Sequence, residues 1–384
     1  MTATPVPSPE PRGTPREAMI VAGGAGTRLR PLTIGRPKPL LPFCGAPFLA
    51  GVIRRLAGVG VERVLLVVGA DPSPFEVLAE DAAAVGVALE AVPEPQPLDT
   101  AGGVRAALDR VSGTFLVLNG DILTDVDLAA AIAQHRDRDA DATLVLTRVE
   151  DTSSFGVCVR RGTGITAFVE KPAPGTLPGQ DAVNAGTYVL EPAALARFPE
   201  GRLSFERQVF PDLVERGARV DGFVSDAVWA DLGTPERYLA GHRVALDGAL
   251  RWPSLDAVPA DPAGVRRAPG VQVADDAVVH GPVLLGEGTV VEAGAVVGPH
   301  VVTGVGSRLG AGSVLRDSVL DVRVALGRDV RARGLLAGPG ASVGDGAHLG
   351  DGVVVGAGVR VAVGDQVAAG ARLGPAEPST TSGG

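Results

Sequence analysis

Lysine is nearly missing from this chain of 384 residues: of its 35 basic side chains only Lys38 and Lys171 are lysines. Asparagine is equally scarce, at Asn119 and Asn184, and there are only two cysteines, two tryptophans and two tyrosines. A genome that writes Arg for Lys, and Asp or Gly for Asn, would leave the rare types only where the substitute does not work. These four positions therefore serve as pointers. The shortage of positive charge, with a net charge of −9 and a pI near 5.2, excludes a general nucleic-acid binder, whose footprint would be a basic face. Cys44 and Cys158 cannot build a disulfide framework and lack metal-ligand spacing. Both lie in apolar stretches and read as small buried residues. Long hydrophobic runs are absent too. The run Val64-Leu65-Leu66-Val67-Val68 is much too short to cross a bilayer, and residues 1–16, rich in Pro, Thr and Ser, carry no apolar core of signal-peptide length. The expectation is a soluble, cytoplasmic protein with tails at 1–17 and 375–384 and no membrane or nucleic-acid partner. What is present suffices for a core: 45% of residues are apolar and 21% charged, over a length that suggests about two or three domains.

Between residues 18 and 250 short aliphatic runs alternate with amphipathic stretches. Strands are expected at 19–22, 64–68, 87–91 and 114–118, with helices at 47–58, 75–85 and 100–110. Such alternation implies βαβ units and a mainly parallel, Rossmann-like sheet covered on both faces. Ligands then belong at the carboxyl ends of the strands. Residues 251–270, broken by Pro and Asp, read as a linker.

From 271 to 374 the composition changes to 22 glycines in 104 positions and no Phe, Trp or Tyr. A core without aromatics needs another packing device, and a six-residue repeat supplies it. Val273, Val279, Leu285, Val291, Val297, Thr303, Leu309 and Leu315 keep strict phase, which returns at Val343, Leu349, Val355, Val361, Val367 and Leu373. A hexapeptide period is the signature of a parallel β-helix, with aliphatics stacked inward and Gly and Asp turning the corners. A low-complexity linker would not hold such phase. Residues 316–341 lose the phase and read as an excursion or a distorted coil.

The first strand runs into Gly23-Gly24-Ala25-Gly26-Thr27-Arg28-Leu29, followed by Arg36-Pro37-Lys38-Pro39. A Gly-rich loop lets backbone N–H groups approach phosphates. No Gly-Lys-Ser/Thr follows, so it is not a Walker loop, and the third glycine of the dinucleotide fingerprint is missing. Arg28 and Lys38 would flank a polyphosphate, the one as a rigid fork and the other as a point charge. Four further segments stand out beside them: Leu118-Asn119-Gly120-Asp121, Phe168-Val169-Glu170-Lys171-Pro172, Val183-Asn184-Ala185-Gly186 and Trp229-Ala230-Asp231-Leu232-Gly233-Thr234-Pro235. Each residue alone has an ordinary structural reading, such as a strand-end turn for Asp121 or a left-handed turn for Asn184. Together and in this order they resemble the sugar-1-phosphate nucleotidylyltransferase family. With Ser204-x-Glu206, Phe210-Pro211 and the repeat tail, the chain is most similar to the mannose-1-phosphate guanylyltransferases of that family.

The resemblance implies an α/β nucleotidyltransferase domain over 18–250 followed by a left-handed parallel β-helix over 271–374. It implies Mg²⁺ held by Asp121 and Asp231, with Arg28 on the α-phosphate and leaving pyrophosphate and Lys38 beside it. Ala22, Gly23, Gly24, Gly26, Thr27 and Gly120 would line the nucleotide, and Gln96, Leu98, Thr100 and Ala101 would face its base. Lys171 would grip the sugar phosphate, with Gly156, Glu170, Asn184 and Gly186 around the sugar. The implied substrates are an NTP, GTP first, and mannose 1-phosphate, in a homo-oligomer joined through its β-helices. Other acceptors (heptose, glucose or cyclitol 1-phosphates) and other bases (UTP, dTTP) stay open. So does an acyl transfer in the β-helix using His280, His300 or His348 as base. Two departures from the family pattern stand out: Asp99 replaces a glycine in the base segment, and Ala46 replaces a basic residue.

Overall fold

Buried strands need near-continuous apolar sequence, and Arg63–Val68 supplies it, with Val64 to Val68 all at most 1% exposed. In the computed structural model, which describes residues 13–374 except 154, 174, 178 and 180, this strand lies second in a nine-stranded sheet. Across the sheet the order is Ala88–Pro93, Arg63–Val68, Glu17–Val21, Phe115–Asn119, Ala182–Leu190, Ala142–Arg148, Val220–Ser225, Gly164–Glu170 and Gly156–Arg161. The first four strands are parallel, as expected of βαβ units. The other half is mixed: Ala182–Leu190 runs antiparallel to both its neighbours, and Gly156–Arg161 and Gly164–Glu170 form a hairpin. The expected "mainly parallel" sheet is therefore half of the observed one, because antiparallel neighbours need no helical crossover and leave no alternation to read. Met19, Leu65, Phe115, Leu144, Tyr188, Phe205 and Phe210 form the core beneath it.

By packing, the described chain divides into two units, neither of them one continuous stretch. Residues up to Gly23, Arg55–Ile122 and Val126–Trp229 make the first, which contains the whole sheet; Gly24–Arg54, Leu123–Asp125 and residues from Ala230 onward make the second.

In the second unit three parallel sheets of seven, six and six strands form the walls of a β-helix. Val283 pairs with Val301, eighteen residues on, so one coil is three hexads. Leu285, Val291, Val297, Leu309 and Leu315 stack inside, and serine and threonine at Thr289, Thr303 and Ser307 are buried with them. The out-of-phase stretch at 316–341 is no excursion. Val302 pairs with Val319 and Leu320 with Ala337, seventeen residues apart, so the coils close with one residue fewer at one corner. That corner is turned by Asp317 and by Gly334, both at positive φ. The stretch read as linker also contributes structure: Pro253–Asp256 is a short helix, Trp252 is 1% exposed, and Val265–Arg267 pairs with Val283–Leu285 as the first strand of the seven-stranded wall. Trp252 stacks on Phe48 with centroids 5.2 Å apart and meets Phe43 edge-on. Gly51 makes this possible, since a Cβ there would lie 2.4 Å from the indole. No helix among the described residues is long and apolar enough to cross a membrane.

Candidate active site

The second unit gathers the cations. Thr27–Leu29 is a single 3-10 turn entered through Gly26 at φ 57°, where a Cβ would lie 2.9 Å from Lys38 Cβ. Glycine here lets the Lys38 stem pack on the loop, and Thr33 Oγ1 closes it by donating to the Gly26 carbonyl at 2.9 Å. The Lys38 ammonium, its side chain only 9% exposed, lies 3.3 Å from Asp231 Oδ1. Arg28 and Arg237 approach Asp231 Oδ2 at 3.6 and 2.9 Å. Asp231 ends the strand Trp229–Asp231 just before the helix Pro235–Leu246, which Thr234 caps by accepting from the Arg237 N–H. Gly233 has no room for a side chain: a Cβ would meet Arg28 Nη2 at 2.6 Å and Asp231 Oδ1 at 2.7 Å. One carboxylate thus collects three cations, a charge pattern suited to a polyanion that competes for them.

The first unit carries the strand ends. Ala22 donates to Val67 O and Gly120 to Val21 O, at 2.7 and 2.8 Å, which places Gly23 and Asp121 just past adjacent parallel strands. Gly23 and Gly103 border the Glu94 carboxyl, with a Cβ on either meeting it at 3.3 and 2.1 Å. Burial raises the Glu94 pKa, and its Oε1 is buried without a hydrogen-bond partner among the described residues. Gln96 is exposed and Leu98 half-buried, while Ala101 is fully buried. Thr100 Oγ1 donates to Glu206 Oε2 at 2.7 Å and accepts from the Phe205 N–H at 3.0 Å, tying the base segment to Ser204–Glu206. Asp99 takes φ 69°, a conformation that glycine adopts freely and that Asp tolerates better than most residues. Its carboxylate pairs with Arg207 and Arg202, so the departure adds an ion-paired group to the base segment rather than a bare charge.

The sugar-segment residues also converge in this unit. Gly156 sits opposite Glu170 in the hairpin, and a Cβ there would strike Phe168 at 2.5 Å and Glu170 Oε2 at 2.9 Å. Burial first, then the neighbouring Glu206 charge, raises the Glu170 pKa against the opposing pull of Lys171 and Arg207. Lys171, at φ 48°, holds its ammonium 3.8 Å from Glu170 while staying largely exposed. The strand Ala182–Leu190 breaks register between Asn184 and Tyr188. Asn184 makes that bulge: its Oδ1 accepts from the Gly186 N–H at 3.0 Å and its Nδ2 donates to Tyr188 Oη at 2.8 Å. Gly186, at φ 73°, would place a Cβ 2.6 Å from Asn119 Nδ2. Both asparagines of the chain therefore meet at one bulge. Trp229 Nε1 donates to Ala185 O at 3.0 Å and its ring meets Phe155 edge-on.

Residues 17–248 match the nucleotidyl transferase family. The chain belongs to that family. A relative from Mycobacterium tuberculosis (strain ATCC 25618 / H37Rv), named mannose-1-phosphate guanylyltransferase, is 40% identical over 79% of this chain and 80% of its own length. A probable mannose-1-phosphate guanylyltransferase 3 from Oryza sativa subsp. japonica is 33% identical over 83% and 82% of the two chains. Among solved structures, HddC from Yersinia pseudotuberculosis complexed with GMP-PN superposes with a TM-score of 0.50 at 28% identity, covering 59% of this chain and 97% of that one.

Within this nucleotidyl transferase, Arg28, Lys38 and Asp231 come together in one unit, and Gly156, Glu170, Lys171, Asn184 and Gly186 lie along one half of the sheet in the other. Asp121 stands at the end of Phe115–Asn119 in the first unit. Gly24, Gly26 and Thr27 belong to the second unit and Ala22, Gly23, Thr100 and Gly120 to the first. Sequence reasoning gave no role to Arg237 or Glu94, and marked Asn119 only through its rarity and its place beside Asp121. Arg237 could have been found from its place six residues after Asp231; nothing in the pattern marks Glu94. In the β-helix His300 is engaged by Asp247 and Asp317, at 2.8 and 3.4 Å, and His280 and His348 are exposed, so none is held as a buried base.

Proposed function

We propose that this nucleotidyl transferase joins GTP and mannose 1-phosphate into GDP-mannose and pyrophosphate. The observation that carries the reading is the cluster of Arg28, Lys38 and Arg237 around Asp231 at the mouth of a glycine-rich loop, in a chain whose relatives bear the name mannose-1-phosphate guanylyltransferase. The bound GMP-PN of the Yersinia structure supports a guanine nucleotide.

An oxygen of the sugar phosphate attacks the α-phosphorus, the bond to the bridging oxygen of the β-phosphate breaks, and pyrophosphate leaves with that electron pair. Two anions must meet, so the protein's work is positioning and charge neutralisation. Arg28 and Lys38 neutralise the triphosphate, and the ammonium of Lys171 receives the sugar phosphate. Glu170, whose raised pKa reflects burial beside Glu206, faces the sugar hydroxyls with Asn184. No covalent nucleotidyl intermediate is invoked. Mg²⁺ fits the donor set. No group of three or more His, Cys, Asp and Glu side chains able to hold a metal occurs among the described residues, and Mg²⁺ commonly uses one or two carboxylates with waters and substrate phosphates. Asp121 and Asp231 are each a hard carboxylate of the kind it takes, and when bound it would offset charge on the phosphate oxygens. A homo-oligomer in the cytoplasm is part of the same reading.

The test is pyrophosphate release with GTP, UTP, ATP and dTTP, each against mannose, glucose, heptose and cyclitol 1-phosphates. Release is expected fastest with GTP and mannose 1-phosphate. No release with any pair refutes the reaction, and release confined to UTP or dTTP refutes the guanylyl assignment.

A further inference from the structure

The β-helix does more than follow the catalytic sequence. Its last described strand, Arg372–Leu373, reaches the signature loop in the same unit. Arg372 Nη1 donates to the Arg28 carbonyl at 2.6 Å and to the Arg30 carbonyl at 3.2 Å. Those carbonyls bracket the end of the 3-10 turn, whose own backbone bonds run from Leu29 to Gly26 and from Arg30 to Thr27. One side chain therefore fixes the peptide planes that follow Arg28 and Arg30, across the exit of the turn. Pro31 sits against the same coils: a Cβ on Gly356 would lie 3.1 Å from it, and one on Gly374 would lie 3.7 Å away. The guanidinium charge of Arg372 also acts on Glu236, in the first turn of the helix that follows Asp231. At the far end of the loop segment Arg36 pairs with Asp321, a β-helix carboxylate only 7% exposed, whose Oδ1 also accepts from the Val322 N–H. Arg28 and Lys38 are thus carried on a segment pinned at both ends by the β-helix, with Arg372 hydrogen-bonded to the loop itself.

We infer that Arg372, on the last coil of the β-helix, is a positioning residue for the transfer reaction. By holding the Arg28 and Arg30 carbonyls it sets where the Arg28 guanidinium stands. The inference rests on the assignment of Arg28 to the triphosphate. Backbone carbonyls pinned by a charged fork are a device for holding a loop where a displacement of about 1 Å can cost on the order of a hundredfold in rate.

The experiment uses the full chain and four proteins beside wild type: Arg372→Ala, Arg372→Lys, Arg28→Ala and the Arg28→Ala/Arg372→Ala double variant. Each is assayed for pyrophosphate release from GTP with mannose 1-phosphate, and its melting temperature is recorded. Arg372→Ala is expected to lower kcat about tenfold or more, with KM for mannose 1-phosphate within about twofold and the melting temperature within a few degrees. Arg372→Lys should recover part of the loss, since an ammonium can reach one or both carbonyls but lacks the fork. In the Arg28→Ala background, loss of Arg372 should cost little more, because the two act through one element. A kcat within twofold of wild type for Arg372→Ala, or the same loss with and without Arg28, overturns the inference. So does a fall in kcat that tracks a fall in melting temperature. Full activity in Arg28→Ala refutes the triphosphate assignment and the inference with it; an inactive Arg28→Ala beside an unaffected Arg372→Ala refutes the inference alone.

Discussion

Acid should weaken the second unit through one imidazole. His242 lies on the helix Pro235–Leu246 and is 1% exposed, against Phe43 and Tyr238. Its Nδ1 donates to the Tyr238 carbonyl at 2.9 Å and its Nε2 accepts from the Cys44 N–H at 3.3 Å, so both nitrogens are satisfied in the neutral form. A proton on Nε2 would set two donors face to face at a side chain closed off from solvent. Burial accordingly lowers its pKa from 6.5 to about 4, outweighing hydrogen bonds to the Tyr238 and Pro42 backbone that pull the other way. The unfolded chain then binds the proton first as pH falls. The stability His242 contributes is fully present above pH 6.5 and is lost as pH drops toward 4. Linkage over that gap gives about 3 kcal/mol in all, and about 2 kcal/mol of it is lost between pH 7.5 and 5. Urea unfolding at the two pH values, followed by tryptophan fluorescence, measures the loss, since Trp252 sits 5.2 Å from Phe43 in the same cluster. A His242→Gln variant, unable to titrate, should show a pH dependence smaller by about that amount. An identical dependence in wild type and variant would refute the reasoning.

Two further predictions concern the site. Asp231→Asn keeps the shape but leaves Arg28, Lys38 and Arg237 facing one another, so turnover should fall by about a hundredfold or more; near-normal pyrophosphate release would remove Asp231 from the reaction. The melting temperature should also fall by several degrees, because Lys38 is only 9% exposed and loses its charged partner, whereas the exposed pairs with Arg28 and Arg237 add little. Lys38→Arg and Lys171→Arg keep the charge but exchange a point for a fork, and each should reduce kcat/KM about tenfold. The first should act on the nucleotide and the second on the sugar phosphate, and two silent variants would mean the scarcity of lysine carries no message.

The parts of the fold that could be read from sequence are those with a short period. Hexads from Val273 to Leu315 announce coils because each inward aliphatic repeats within reach of its neighbour in the stack. A corner one residue short, at Asp317 and Gly334, destroys that periodicity while leaving the coil intact, so an ordered stretch looks irregular. The parallel half of the sheet is legible through its helical crossovers, and the antiparallel half is not. Motif residues were legible as types, and the asparagines as rarities, but their roles depend on partners far away. Asn119 and Gly186 meet only through the bulge at Asn184. The charge of Asp99 is answered by Arg202 and Arg207, more than a hundred residues on. The contact between Arg372 and Arg28 spans 344 residues, a distance at which no local pattern survives.

That separation has a counterpart in time. Asp321 is made 285 residues after Arg36, which at ribosomal rates of about 5–20 residues per second is an interval of roughly 15–60 s. Throughout it the glycine-rich segment from Gly24 to Arg54 waits without most of the unit it belongs to. The glycine-rich loop is thus seated long after it is made, and a nascent chain interrupted before Asp321 and Arg372 would carry every signature residue without the framework that orders them.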